Sequence, residues 1–149
     1  MTRMDGVINA AGDRLSTGRF EEVINDYPSV VESAVVGYND EIRGECPVAF
    51  VILKGDLDKL SVEEKNKITK EINEKVRNDI GPIARLEAAL FVSKLPKTRS
   101  GKILRGSIRK VCNNEEVKMP ATIDDPTSLD DLKKVAGEWL KAKVNGKKK

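Results

Sequence analysis

A chain of 149 residues has room for one domain of ordinary size, or for a small domain with a tail. Hydrophobic residues at 39% and charged residues at 34% are compatible with a packed core, and an aromatic share of 4% leaves Val, Ile and Leu to fill it. A net charge of +3, much of it in Lys147, Lys148 and Lys149, is too small to imply nucleic-acid binding, and the lack of histidine excludes imidazole zinc sites and every His-dependent triad.

Cys46 and Cys112 lie far apart with no CxxC spacing, so they read as buried free thiols of a reducing compartment rather than a disulfide. No apolar run approaches the ~20 residues of a membrane span, and the N-terminus carries no secretion signal. The expected location is the cytoplasm or the mitochondrial matrix. Met1 to Asp5 lead almost at once into an apolar segment, a start that reads as a cut at a domain boundary.

Val7, Ile8, Asn9, Ala10 and Ala11 form a short β-prone piece ending at Gly12. Ser16 and Thr17 then offer N-caps to a helix whose apolar face is Phe20, Val23, Ile24 and Tyr27, stopped by Pro28. A strand is predicted over 30–36, with a loop over 37–44. The uninterrupted apolar run 48–53, bounded by Pro47 and Gly55, reads as a central strand buried on both faces. Ser61 begins a helix with Glu63 and Glu64 in its first turn and Ile68, Ile72, Val76 and Ile80 along one face; Gly81 and Pro82 end it. A third strand is expected over 86–92, and a helix from about 100 to 112 with Leu104, Ile108 and Val111 inward. Residues 113–119 read as a loop. A last amphipathic helix over about 127–142 carries the stripe Leu129, Leu132, Ala136 and Trp139, and 144–149 should fray.

This order predicts an α+β fold: a small mixed sheet of about three main strands plus a short N-terminal hairpin, flanked by helices. The expected division is a domain over 1–115 and a C-terminal extension over 116–149, which holds one helix and the basic tail.

The run Leu95-Pro96-Lys97-Thr98-Arg99-Ser100-Gly101-Lys102 is the most distinctive. Four cations, Lys97, Arg99, Lys102 and Arg105, fall within nine residues. The segment is not a Walker A loop, because Pro96 stands where the first glycine belongs and Ile103 replaces the magnesium-binding Ser or Thr. The spacing instead suggests a glycine-hinged loop opening a helix, where a long cation could meet an anion. A solvated basic loop fits the spacing equally well. Arg3 and Arg14 flank the first strand, and Arg suits phosphate or carboxylate because its planar fork binds bidentately; each also reads as ordinary surface arginine. Arg77, late in its helix, is explained alone by the helix dipole.

Taken together, the run from Val7 to Thr17 and the run from Leu95 to Arg105 resemble the two signature motifs of the C-terminal domain of AMP-forming acyl-CoA synthetases. Within that family the chain is most similar to short-chain acetyl- and propionyl-CoA synthetases, and the stretch from Ala121 to Leu129 is similar to the propionyl branch. The resemblance implies a mobile lid that works with a large N-terminal adenylate-forming domain, for which nothing here matches. ATP and a carboxylic acid would give acyl-adenylate and pyrophosphate; CoA would then give the thioester and AMP.

By the same resemblance Lys102 matches the adenylation lysine, which would bridge the carboxylate and the α-phosphate, and is a candidate for regulatory acetylation. Asp5 matches the hinge, and Arg3 and Arg14 match nucleotide contacts. Ala11 and Gly12 match a loop passing near CoA, and Arg77 matches a contact to CoA phosphate. Backbone carbonyls of Asn25, Tyr27 and Val30 would correspond to a Mg2+ site. The chain departs from the family pattern at Ala11, Asp13, Arg19 and Tyr27. The isolated chain is expected to complete neither half-reaction. The alternative is a stand-alone CoA- or nucleotide-binding or regulatory module that retains the lid fold.

Overall fold

The computed structural model describes residues 7–10, 13–40, 44–55, 59–81, 86–118, 121 and 123–147. Among the described residues, five strands and four helices follow one another as β1 (Val7–Ala10), β2 (Asp13–Ser16), α1 (Thr17–Asn25), β3 (Val30–Asp40), β4 (Gly44–Leu53), α2 (Val62–Asp79), β5 (Ala88–Phe91), α3 (Arg105–Cys112) and α4 (Pro126–Lys147). The α+β expectation is met.

The sheet runs β2-β1-β4-β3, with β5 also paired to β4. β1 and β2 form the short antiparallel hairpin, and β1 meets β4 at Ala10 and Gly44. β3 and β4 pair antiparallel along nearly their whole lengths, whereas β5 runs parallel to β4 from Val48↔Ala88 to Val51↔Phe91. β4 is therefore the central strand, as its unbroken apolar run requires.

Alternation along β3 and β4 sorts their side chains onto two faces. Val35, Ala49, Val51 and Leu53 meet Phe20, Val23 and Ile24 of α1 and Ile72 and Val76 of α2. Ala34, Val36, Val48 and Phe50 meet Ile108, Val111 and Cys112 of α3 and Leu129, Leu132 and Ala136 of α4. Each face thus has its own helical layer. Each large side chain among them contributes about 1.5–3 kcal/mol by leaving water. The α4 stripe belongs to the same apolar cluster as Phe50, so α4 is part of the core.

Boundaries moved in four places. β3 continues to Asp40 and β4 begins at Gly44, so most of the stretch expected as a loop over 37–44 is paired strand. Alternation beyond Val36 is broken by Gly37, which hides the strand from a pattern reading. β5 is shorter than 86–92, and α4 reaches Lys147 rather than fraying from residue 144. α3 starts at Arg105 rather than near Ser100, because a turn occupies the residues before it. α2 follows its signals closely. The Ser61 hydroxyl accepts the Glu64 N–H at 3.1 Å and forms the N-cap. Gly81 follows the helix at φ 146°.

Among the described residues, no helix is long and apolar enough to cross a membrane. Cys46 and Cys112 are buried free thiols, and burial pushes the Cys112 thiol up to about 12.

Candidate functional site: the Lys102 hairpin

The segment 97–103 is a tight hairpin. Lys97 and Ile103 form an antiparallel bridge. The Thr98 N–H donates to the Lys102 carbonyl at 2.8 Å, the Gly101 N–H to the Thr98 carbonyl at 2.9 Å, and the Leu104 N–H to the Pro96 carbonyl at 2.9 Å. Gly101 has φ 89°, where a side chain would be strained, and a glycine there is the usual device for closing a three-residue hairpin loop. Thr98 Oγ1 accepts the Lys102 N–H at 3.1 Å and lies 2.9 Å from Ser100 Oγ. The motif Thr-Arg-Ser-Gly-Lys is thus a turn in which the Thr98 hydroxyl bonds both the backbone and the Ser100 hydroxyl.

This corrects the expectation that Lys102 opens a helix. Gly101 is left-handed and Leu104, the residue before α3, is non-helical at φ −85° and ψ 71°. No helix N-terminus lies at Lys102. Its backbone is held by the hairpin instead.

The basic cluster divides into two structural and two open cations. Lys97 Nζ pairs with Glu32 Oε2 at 2.8 Å. Arg105 grips Glu21 bidentately, Nε to Oε2 at 3.1 Å and Nη2 to Oε1. Glu21 is 7% exposed and its Oε2 also accepts the Val35 N–H at 2.9 Å. Arg99 and Lys102 are exposed, and among the described residues neither side chain has a hydrogen-bond or ion-pair partner. An external anion at this hairpin therefore meets Arg99 and Lys102.

Glu21 and Glu32 were not picked out from sequence. Glu21 did leave a signal: it shares the buried face of α1 with Thr17, Phe20 and Ile24. A carboxylate inside an apolar stripe implies a buried partner. Glu32 lies next to a register shift between Val30 and Glu32, and nothing in the sequence announces that irregularity.

The remaining candidate residues are dispersed. Arg3, Asp5, Ala11 and Gly12 lie outside the described residues. Arg14 is in β2, opposite Asn9 of β1. Arg77 is exposed in the last turn of α2. Its helix packs on one face of the sheet, whereas Leu95, Ile103 and Leu104 join the α3 and α4 layer on the other. The fold does not bring Arg77 and Lys102 together.

Asn25, Tyr27 and Val30 share the turn from α1 to β3. The Tyr27 N–H donates to the Ile24 carbonyl and the Val30 N–H to the Tyr27 carbonyl, each at 3.0 Å. Asn25 Oδ1 accepts the Ser33 hydroxyl at 2.8 Å, and the neighbouring Asp26 carboxylate pairs with Lys75 at 3.0 Å. The Tyr27 hydroxyl donates to Glu71 on α2, and that bond, with burial, raises its pKa to about 12. Asn25 Oδ1 and the Tyr27 hydroxyl are thus engaged and Asp26 is drawn to Lys75 through one oxygen, so at Asn25, Tyr27 and Val30 a hard cation would meet neutral carbonyls. Among the described residues no group of three or more His, Cys, Asp or Glu side chains is placed to hold a metal ion.

The chain is similar to known proteins over most of its length. The family described as AMP-binding enzyme C-terminal domain matches residues 19–102. The chain is 43% identical over 145 residues to the acyl-CoA synthetase short-chain family member B, mitochondrial, of Dictyostelium discoideum, covering 97% of this chain and 20% of that protein. It is 42% identical over 135 residues to the acetyl-coenzyme A synthetase of Wolinella succinogenes, covering 90% of this chain and 20% of that protein. The fold is similar to the crystal structure of the Brucella canis acyl-CoA synthetase, with TM-score 0.64 and 35% identity over 74% of this chain and 19% of that one. An anthranilate CoA ligase in complex with anthranoyl-AMP is also similar, with TM-score 0.65 and 29% identity over 75% of this chain and 21% of that one. The chain spans about a fifth of the length of the curated relatives it matches. With residues 19–102 matched and relatives 43% and 42% identical over most of its length, the chain belongs to the AMP-binding enzyme C-terminal domain family.

Proposed function

We propose that the chain is the lid of a short-chain acyl-CoA synthetase of the acetyl or propionyl type, and that Lys102 is its adenylation lysine. The reaction has two halves. A carboxylate oxygen attacks the α-phosphorus of ATP, the bond to the β-phosphate breaks and pyrophosphate leaves. The CoA sulfur then attacks the acyl carbonyl, its thiol proton is released and AMP leaves. Lys102 acts in the first half, where its ammonium meets negative charge shared between the incoming carboxylate and the α-phosphate.

The observation that carries this reading is the hairpin itself. It fixes the backbone of Lys102 and leaves the ammonium without an internal carboxylate, while Lys97 and Arg105 are spent on Glu32 and Glu21. A preorganised cation of this kind stabilises developing charge without reorganising. Arg3 and Arg14 are assigned to the nucleotide, Asp5 to the hinge, and Ala11, Gly12 and Arg77 to CoA. The placement of Arg77 and the hairpin in layers on opposite faces of the sheet supports a lid that offers different residues in each half-reaction. ATP and CoA bind mainly to the adenylate-forming domain, the partner of this chain, which also sets the acid substrate. The Mg2+ that accompanies ATP would find only carbonyls at Asn25, Tyr27 and Val30. Two buried free thiols support a reducing compartment, either cytoplasm or mitochondrial matrix.

The test is Lys102→Ala in the chain joined to its adenylate-forming domain. ATP–pyrophosphate exchange should fall about 10²–10³-fold, the scale for removing one charge-stabilising contact. Thioester formation from supplied acyl-adenylate should persist. Equal loss of both half-reactions would remove the assignment, as would unchanged exchange. The 149-residue chain alone should show no exchange.

A further inference from the structure

The approach to the Lys102 hairpin is laced to the start of α4. Asp131 Oδ2 accepts both the Ser93 N–H at 3.2 Å and the Ser93 hydroxyl at 3.0 Å. Lys94 Nζ pairs with Asp125 Oδ2 at 2.8 Å. The Asp124 N–H donates to the Lys97 carbonyl at 2.8 Å, and Thr98 forms an antiparallel bridge with Ile123. Residues 93, 94, 97 and 98 are therefore each tied to the stretch 123–131. The hairpin has become the middle and outer strands of a three-stranded ribbon, with Ile123 on its free side.

The stretch is itself anchored. Ile123 is 6% exposed and packs in the apolar cluster that holds Leu95, Leu129, Leu132 and Ala136. Asp125 Oδ1 accepts the Thr127 N–H at 3.0 Å and the Thr127 hydroxyl at 2.6 Å, which caps α4 as it holds Lys94. The Asp125 carboxylate thus serves the helix end and the hairpin approach together. The α4-side partners in these contacts, Ile123, Asp124, Asp125 and Asp131, all lie beyond residues 19–102, which the family matches.

We infer that the segment 123–131, with Asp125 and Asp131 as its latches, is a positioning strap that fixes the height and direction of the Lys102 hairpin. Its meaning for catalysis rests on the adenylation role of Lys102; its structural consequence does not. A long cation aimed at a developing charge loses effect when its backbone moves by an ångström, so a domain that presents such a lysine needs the hairpin base held. The hairpin has no helix behind it, because α3 starts at Arg105. The strap supplies the missing support from outside the motif.

Amide hydrogen exchange on the full 149-residue chain tests this without substrate. In Asp131→Ala and in Asp125→Ala, the Thr98 and Leu104 amides, which close the hairpin, should exchange about tenfold faster through local opening. The Lys54 amide, bonded to the Ser29 carbonyl across the other end of the sheet, should keep its rate. Asp131→Asn retains an oxygen acceptor for Ser93 and should restore protection. Hairpin rates within twofold of the parent in both alanine variants would overturn the strap. So would uniform acceleration that includes Lys54, or failure of Asp131→Asn to restore protection. Loss of the adenylation reading through Lys102→Ala would leave these exchange results intact, so the two failures are distinguishable.

Discussion

Glu21 occupies a position on α1 where an alkyl side chain would be expected, and its neighbours explain why it does not. One carboxylate caps the Val35 N–H on the outer edge of β3 and receives Arg105 from α3, so it joins both helical layers around the edge of the sheet. Arg105→Met would leave a nearly buried carboxylate with one backbone donor. We expect a loss of about 2–3 kcal/mol, measured as a lower urea midpoint at unchanged slope, because charged hydrogen bonds are costly to break on one side only. Glu21→Gln, which keeps an acceptor for Val35, should cost less. Tyr27 makes a pH-dependent contribution. Its hydroxyl is held protonated by Glu71, with a folded pKa of about 12 against the ordinary 10.0. The stabilisation is fully present below pH 10 and is lost as pH rises towards 12. The stability difference between the parent and Tyr27→Phe should therefore shrink over that window. The chain has two tyrosines, so an ultraviolet titration should also lose its late step in Tyr27→Phe. A difference independent of pH would remove the role given to Glu71.

At the level of elements, β3 is an edge strand that is nevertheless closed. Beyond Val35, the Asn113 amide spans the next stretch: Nδ2 donates to the Gly37 carbonyl at 2.9 Å, and Oδ1 accepts the Asn39 N–H at 2.7 Å. One side chain at the end of α3 thus copies the donor and acceptor of a neighbouring strand. Unpaired edge groups are templates for strand addition, so this is a protective contact. Asn113→Ala should destabilise the chain by about 1–3 kcal/mol and produce concentration-dependent association in sedimentation velocity. A strictly monomeric variant of unchanged stability would contradict the protective role. The hairpin of Lys102 is polar for local reasons. Thr98 and Ser100 bond within the turn, and Gly101 supplies its left-handed residue.

For the whole molecule, the two sheet faces carry separate apolar clusters that share β3 and β4. α4 belongs to one of them, since Leu129, Leu132 and Ala136 are fully buried. Leu132→Ala should cost about 2–5 kcal/mol, as Ile72→Ala should on the opposite face. Trp139, the only tryptophan, lies edge-on to Tyr38 with ring centroids 4.9 Å apart and reports on the α4 side. Its fluorescence transition in urea should coincide with the far-ultraviolet circular dichroism transition. An earlier tryptophan transition would mean that α4 detaches as a separate unit.

The elements with regular apolar spacing were legible in the residues. The run from Val48 to Leu53 declared a doubly buried strand, and Ile68, Ile72, Val76 and Ile80 declared the inner face of α2. Two short motifs about ninety residues apart resemble those of the family to which the chain belongs. Pairing across long separations was not legible. The extension of β3 to Asp40 depends on β4 opposite it, and the later start of α3 depends on the hairpin that precedes it. Which cations are open was also decided in three dimensions. Lys97 and Arg105 look no different from Lys102 along the chain, and only the fold sets Glu32 and Glu21 beside them. Local pattern determines what a segment can bury. The partner of a charge is decided by which distant segments the packed core brings within reach.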